Sequence, residues 1–274
     1  MFTHRPLLRS VSQHSVARIT LTVSLALLAL SGAPLHAQSF SNKEGATAPL
    51  LPELPKDAAA PVVVLMTTNF GEVLLELDAA RAPITVRNFL AYAKAGFYND
   101  TAFHRVMRNS STAIVQGGGY STAGALKATE TPITNEWTNG LKNVRGTIAM
   151  ARQPDPNSAT SQFFFNLIDQ PLYDAADPRG SGYCVFGKVI AGLPVLDAIS
   201  MEKTGSRNAS PAAGAPPQAL SQWPVRDCII EKIVVVSTSD VAATTERVKH
   251  TQVKDPSAPT VAKPAPATAP LKAS

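Results

Sequence analysis

The chain has 274 residues, 45% of them hydrophobic, with 25 basic side chains against 20 acidic ones and a formal charge of +5. That length suits one large domain or two small ones. Arg5, Arg9 and Arg18 have no acidic counterpart within residues 1–37; without them 22 basic groups face 20 acidic ones, a surplus of 2 that gives no argument for nucleic acid.

Residues 1–37 read as a secretory signal peptide. The three arginines form its basic region, residues 19–30 are apolar without a charge, and Pro34-Leu35-His36-Ala37 offers cleavage after Ala37. An uncleaved membrane anchor is the alternative, because Leu35 is bulky where a small side chain is preferred. No later apolar run reaches the length of a membrane span, so no stable insertion is expected after cleavage. The destination is the periplasm or the exterior. Residues 38–57, rich in Ala, Pro and Leu, read as a linker. Residues 58–240 carry the folded domain. Residues 241–274 read as a polar, Pro/Ala-rich disordered tail, with a short helix indicated over 240–249.

Within the domain the pattern is mostly β. Strands are predicted over 62–66 and 73–77, joined by the turn-rich Thr67-Thr68-Asn69-Phe70-Gly71. Ala82-Pro83 opens a helix in which Val86, Phe89, Leu90 and Ala93 fall at i, i+3, i+4 and i+7, and Gly96 stops it. Shorter strands follow over 101–106, 114–116, 146–151, 162–166 and 184–190. A short helix over 194–200 comes next, then a Gly/Ser/Ala/Pro-rich surface excursion over 204–224, and a last strand over 228–236. Many short strands with two helices suggest a closed antiparallel barrel with helix plugs at its open ends.

The chemistry-bearing residues are few. Of five histidines, only His104 and His250 survive removal of residues 1–37. A Ser-His-Asp hydrolase built on His104 would lack a G-x-S-x-G elbow. A zinc site lacks ligands, since Cys184 and Cys228 are the only thiols. In an oxidising compartment these two either form a disulfide or stay buried as thiols, and geometry decides. No metal and no cofactor is expected. Gly117-Gly118-Gly119 reads as a close-packing turn rather than a phosphate cradle, because no G-K-S/T follows.

Four ordered motifs remain: Phe103-His104-Arg105-Val106 with Gln116-Gly117-Gly118-Gly119 downstream, residues 143–151, Ser161-Gln162-Phe163-Phe164-Phe165-Asn166, and Val185-Phe186-Gly187-Lys188-Val189. Together they resemble the cyclophilin family of peptidyl-prolyl isomerases, most closely its exported bacterial branch, over about residues 62–236. The resemblance implies a closed eight-stranded antiparallel barrel capped by two α-helices, acting on proline-containing, unfolded or flexible polypeptides; a monomer is expected because no heptad or long apolar edge is evident. The reaction is rotation about the X-Pro amide, whose barrier of about 18–20 kcal/mol comes from conjugation. No bond is made, so no nucleophile, metal or redox group is needed. The twisted proline nitrogen loses conjugation and becomes a better acceptor, which a fixed guanidinium can meet.

By the resemblance that guanidinium is Arg105, and Gln116 holds the substrate backbone or orients it. Phe164 packs on the proline ring and Ile114 occupies the neighbouring pocket position. Gln162, Tyr183, Leu172, Ala151 and Arg152 complete the substrate groove, with His104 beside it as a structural histidine. Asn135 and Glu136 lie in a loop at its rim. Strand alternation sends Phe163 and Phe165 inward and Phe164 towards the groove.

Two departures stand out. Residues 107–113 are three longer than the family pattern and lack its Pro-Gly-Phe turn, and Ala113 stands where a pocket aromatic is expected. Leu172 replaces the family tryptophan whose indole holds cyclosporin, which implies weak sensitivity to that drug. The altered loop keeps open a second reading, a non-catalytic peptide-binding module or holdase on the same fold.

Overall fold

The computed structural model describes residues 61–174, 181–210 and 216–255. The signal peptide and linker, and the end of the tail, lie outside the described residues. The chain runs through β1 (Val62–Thr68), β2 (Gly71–Leu77), α1 (Pro83–Lys94), β3 (Thr101–Ala102), β4 (Arg105–Arg108), β5 (Ala113–Gly117), β6 (Tyr120–Ser121), β7 (Thr147–Met150) and β8 (Phe163–Asn166). There follow α2 (Pro171–Asp174), β9 (Val185–Ala191), α3 (Leu193–Ser200), β10 (Thr204–Ala209), β11 (Gln218–Pro224), β12 (Ile229–Val235) and, after a short 3-10 turn, α4 (Val241–His250). The protein is mainly β, with antiparallel pairing between all named strands.

Ten strands form one sheet in the order β4-β5-β8-β7-β9-β2-β1-β12-β3-β6, and β10 pairs with β11 apart from it. This corrects the expected count of eight and the expected closure, since the order is linear with β4 and β6 at its ends. The cause is local. The single strand expected over 101–106 divides at Phe103-His104: the Phe103 amide still donates to the Cys228 carbonyl (2.8 Å), in register with the β3–β12 pairing, and the chain leaves β12 only beyond it. β3 therefore pairs with β12 while β4 pairs with β5. The three steps from Ala102 to Arg105 reach at most about 10 Å. Two strands near opposite ends of the order are thus tied together, and the sheet is curled.

The curled sheet encloses one continuous apolar cluster, into which α1 and α3 insert. On α1 the spacing seen in the sequence is realised: Val86, Phe89, Leu90 and Ala93 are all buried. Phe89 stacks on Tyr98, Phe163 and Phe186, with ring centroids 5.2, 5.5 and 5.4 Å away. Burying such a ring contributes roughly 1.5–3 kcal/mol. Ala82 offers no side-chain cap to this helix. Glu136 supplies it from 51 residues away, its carboxylate accepting from the amides of Ile84 (3.1 Å) and Thr85 (2.9 Å) and from the Thr85 hydroxyl (2.7 Å). An anion at the positive end of a helix is favourable both as acceptor and as charge. The rim loop thereby fixes α1.

Two further expectations change. The surface excursion over 204–224 contains the hairpin β10–β11, whose Trp223 is 1% exposed. The polar tail begins later than residue 241: α4 buries Val248 against Val63, Leu74 and Ala191, and Arg247 pairs with Glu72. Farther on, the Lys254 amide donates to the Phe70 carbonyl (2.8 Å). Tertiary packing of Val248 and Val241, with the ion pair, holds a helix whose own polar composition would not. Cys184 and Cys228 are buried free thiols. Burial pushes Cys184 up to about 11, partly offset by the Thr85 hydroxyl, and raises Cys228 further in the same direction.

Candidate functional site

Register builds the site. In the β4–β5 ladder Arg105 lies opposite Gln116 and Met107 opposite Ile114; in the β5–β8 ladder Gln116 lies opposite Phe164. Directly paired residues share a face of the sheet. Val115, Phe163 and Phe165 point into the core cluster, whereas Ile114, Ala149 and Phe164 form a separate cluster on the outer face. Arg105, Gln116, Phe164, Ile114 and Met107 therefore stand together on one outward wall. The insertion at 107–113 does not disturb this wall. It is absorbed in a tight turn in which the Asn109 Oδ1 accepts from the amides of Ser111 (2.9 Å) and Thr112 (2.7 Å). Side-chain-closed turns of this kind are why Asn is favoured there. Ala113 faces the core instead of a pocket, and Met107 packs beside Ile114 and Phe164.

A polar line crosses the wall. The Arg105 Nη1 points at the Gln116 Oε1 (3.5 Å), and the Gln116 Nε2 donates to the Gln162 Oε1 (3.0 Å). Gln162 lies over Gly119, where an added Cβ would come within 2.6 Å of its Cγ. The neighbouring Gly118 has φ +82° and would meet the Phe163 ring at 2.7 Å. The glycine run is thus a close approach of backbone to side chains. Arg105 has a second partner that the sequence did not disclose: its Nε donates to the Gln222 Oε1 at 3.0 Å. The signal for Gln222 lay in the hydrophobic Trp223 that follows it, which marks the segment as anchored.

The apolar part is walled by aromatics. Phe164 meets Tyr173 and Tyr183 edge-on at 5.7 and 5.4 Å, and those two rings are 5.0 Å apart. Burial raises the Tyr173 hydroxyl above its ordinary range, with the Thr112 hydroxyl acting in the opposite sense. Ala151 borders the same cluster, and its amide donates to the Gln162 carbonyl (3.0 Å). Arg152 lies over the Tyr183 ring at 4.9 Å, a cation–π distance, and its Nη2 donates to the Ser181 carbonyl (2.8 Å). A pocket of about 280 Å3 opens between Gln116, Gln162, Ala151, Arg152, Ser158 and Thr160. A larger one of about 340 Å3 beside Gly192 and Val248 contains none of the expected site residues.

Leu172 stands apart from the apolar wall, and His104 is buried as the structural histidine expected beside the groove. Leu172 is 83% exposed and packs in no apolar cluster; its neighbour Tyr173 takes the aromatic position instead. His104 is 4% exposed at the corner before β4, with Tyr120 and Trp223 at 4.7 and 5.9 Å. Burial lowers it to about 4, against smaller raising effects of the Ala102 backbone and Gln162. It is neutral near pH 7 and fills space beneath the wall. Asn135 ties the rim by donating to the Gly182 carbonyl (3.1 Å).

The outer wall of the curled antiparallel sheet thus carries a guanidinium, two amides and a sheltered ring side by side. Comparison with known proteins identifies the family. Residues 63–235 match the family described as cyclophilin type peptidyl-prolyl cis-trans isomerase/CLD. The chain is 46% identical over 157 residues to peptidyl-prolyl cis-trans isomerase A of Dickeya dadantii, covering 57% of this chain and 80% of that protein. It is 41% identical over 175 residues to peptidyl-prolyl cis-trans isomerase B of Escherichia coli, covering 63% of this chain and 99% of that protein. The crystal structure of a cyclophilin type peptidyl-prolyl cis-trans isomerase of Cryptosporidium parvum superposes with a TM-score of 0.50 at 26% identity, covering 65% of this chain and 99% of that one. The chain belongs to the cyclophilin-type peptidyl-prolyl cis-trans isomerase family.

Proposed function

We propose that this chain catalyses cis–trans isomerisation of X-Pro bonds in exported, unfolded or flexible polypeptides, on the outer wall of β4, β5 and β8. The observation that carries the reading is the ladder itself, which sets Arg105 opposite Gln116 and Gln116 opposite Phe164 on one face. The proline ring packs against Phe164 and Ile114, and the preceding residue enters the pocket beside Ala151 and Gln162. As the amide twists, its nitrogen becomes pyramidal and Arg105 donates to it. That bond is absent in both planar ground states, so it lowers the barrier without tightening substrate binding. Gln116 holds the peptide backbone and the guanidinium together. The curled sheet serves as the family's barrel, a role supported by the two-residue link between β3 and β4.

The protein acts as a monomer in the periplasm or outside the cell, after cleavage behind Ala37. The reading as a non-catalytic binding module drew on the 107–113 insertion. That insertion closes as a turn and leaves the Arg105–Gln116 register intact, which favours the enzyme.

The test is isomerisation of an X-Pro peptide by the mature chain beside Arg105→Ala and Arg105→Lys. We expect at least a tenfold drop in kcat/KM for both, since a lysine lacks the planar fork. Wild-type rates in Arg105→Ala, or no catalysis by the parent protein, would sink the reading.

A further inference from the structure

The residue that completes the environment of Arg105 comes from a part of the chain outside the motif region. β10 and β11 pair with each other and not with the ten-stranded sheet. Their ladder is irregular, with the register slipping between Gly205 and Arg207. Next to that irregularity stands Gln222, with φ +70°, one of two non-glycine residues of positive φ among the described residues. Positive φ is disfavoured for a residue with a Cβ, and where it persists the surroundings must enforce it. The enforcement is visible in the next residue. Trp223 is sealed against Tyr120 and His104, with ring centroids 5.8 and 5.9 Å away, and Arg207 lies over its ring at 4.9 Å. Arg207 is itself held by Asp227 at 2.6 Å.

The product of this arrangement is one hydrogen bond. Gln222 turns back over β4 and its Oε1 accepts from the Arg105 Nε at 3.0 Å. The Nε lies on the inner edge of the guanidinium, away from the end that meets a substrate. An acceptor there sets the rotation of the plane, while Gln116 at 3.5 Å limits its swing from the other side. Arg105 is exposed, so without such partners its long side chain would sample many rotamers, and each would have to be given up at the transition state.

We propose that Gln222 is a positioning residue for the isomerisation: a strained, tryptophan-anchored bulge holds its amide against the Arg105 Nε and fixes the guanidinium for the twisted amide. The inference rests on Arg105 being the catalytic donor. It adds that the hairpin β10–β11, outside the sheet that carries the groove, supplies part of the catalytic geometry.

The experiment compares kcat and KM for an X-Pro peptide in the parent protein, Gln222→Asn, Gln222→Gly, Gln222→Glu, Arg105→Ala and the double variant Arg105→Ala/Gln222→Asn. Asn tolerates positive φ but is one methylene too short, and Gly relieves the strain while removing the acceptor. Both should lose about three- to tenfold in kcat with KM within about twofold. Their thermal midpoint and tryptophan emission should be unchanged, and Gln222→Gly should melt no lower than the parent. Gln222→Glu keeps reach and acceptor and should retain kcat within about twofold. In the double variant the Asn change should add nothing. Parent-like kcat in Gln222→Asn and Gln222→Gly would overturn the inference. So would an equal loss in Gln222→Glu, an undiminished loss in the Arg105→Ala background, or a loss that follows a fall in melting midpoint. If Arg105→Ala itself is fully active, the catalytic reading of Arg105 fails first; if it is slow while the Gln222 variants are fast, only the positioning role fails.

Discussion

The two faces of β5 and β8 are one residue apart in sequence and answer to different demands. Inward, Val115, Phe163 and Phe165 join a cluster shared with α1, α3 and most of the sheet. Outward, Ile114 and Phe164 belong to a small patch bordered by Met107, Tyr173 and Tyr183, and Gln116 stands at its polar margin. The difference follows from the period of two along a strand. It teaches that stability and chemistry can be separated on the same two strands, because a change on one face has few neighbours in common with the other. As a peptidyl-prolyl isomerase, the protein can be probed by substitutions that should divide along this line.

Phe165→Ala should give the largest effect. The ring is fully buried, and truncation should cost about 3–5 kcal/mol in denaturant unfolding, with kcat per folded molecule unchanged. An equal loss of kcat would mean that the faces are coupled. His104 sits at the corner between them and should respond to pH. In the unfolded chain it takes up a proton near 6.5, and in the fold only near 4. Between these values the unfolded chain holds more protons, so stability should fall as pH drops from 6.5 towards 4 and be unaffected above 6.5. The separation corresponds to roughly 3 kcal/mol at the acid end. Unfolding midpoints of the parent and His104→Gln, followed over that range, should diverge accordingly; parallel curves would refute the effect.

Smaller effects sharpen the comparison. Glu136→Gln weakens the anionic cap of α1 and should cost about 1 kcal/mol, measured by thermal unfolding, with little change in kcat. Gln116→Ala should leave stability within about 0.5 kcal/mol while lowering kcat/KM several-fold in the X-Pro peptide assay. Cyclosporin should inhibit weakly, because Leu172 offers no N–H and points to solvent; half-inhibition at nanomolar drug would contradict this.

Most of the sheet was legible because its strands carry their own alternation and its main helix its own period. The strands over 62–66 and 73–77 appear as β1 and β2, matching at the start of the first and the end of the second and running two residues further into the turn, to Thr68 and Gly71. The helix from Pro83 to Lys94 stops just before Gly96, which has φ +66°. The hairpin β10–β11 was not legible, since its composition of Gly, Ser, Ala and Pro is that of a loop and its register is broken. The helix α4 was indicated, but its docking through Val248 and the Arg247–Glu72 pair rests on distant partners. The split of the strand over 101–106 was hidden as well, because its two halves pair with different strands, β3 with β12 and β4 with β5, and strand partners are chosen by the tertiary fold.

The sequence by itself determined that Phe164 faces away from Phe163 and Phe165, because the period of two is a local consequence of strand geometry; the resemblance implied its grouping with Arg105 and Gln116, and the ladders between β4, β5 and β8 bring the three together. It also set the expectation against a Ser-His-Asp hydrolase and a His/Cys zinc site, through the motif and ligands it lacks. Tertiary structure alone decided that Tyr173 rather than Leu172 closes the apolar wall, that Glu136 caps α1, and that Gln222 meets Arg105 across 117 residues of chain. Such contacts depend on how the sheet curls, and loop closure over so long a span leaves no periodic trace in the amino acids that make it.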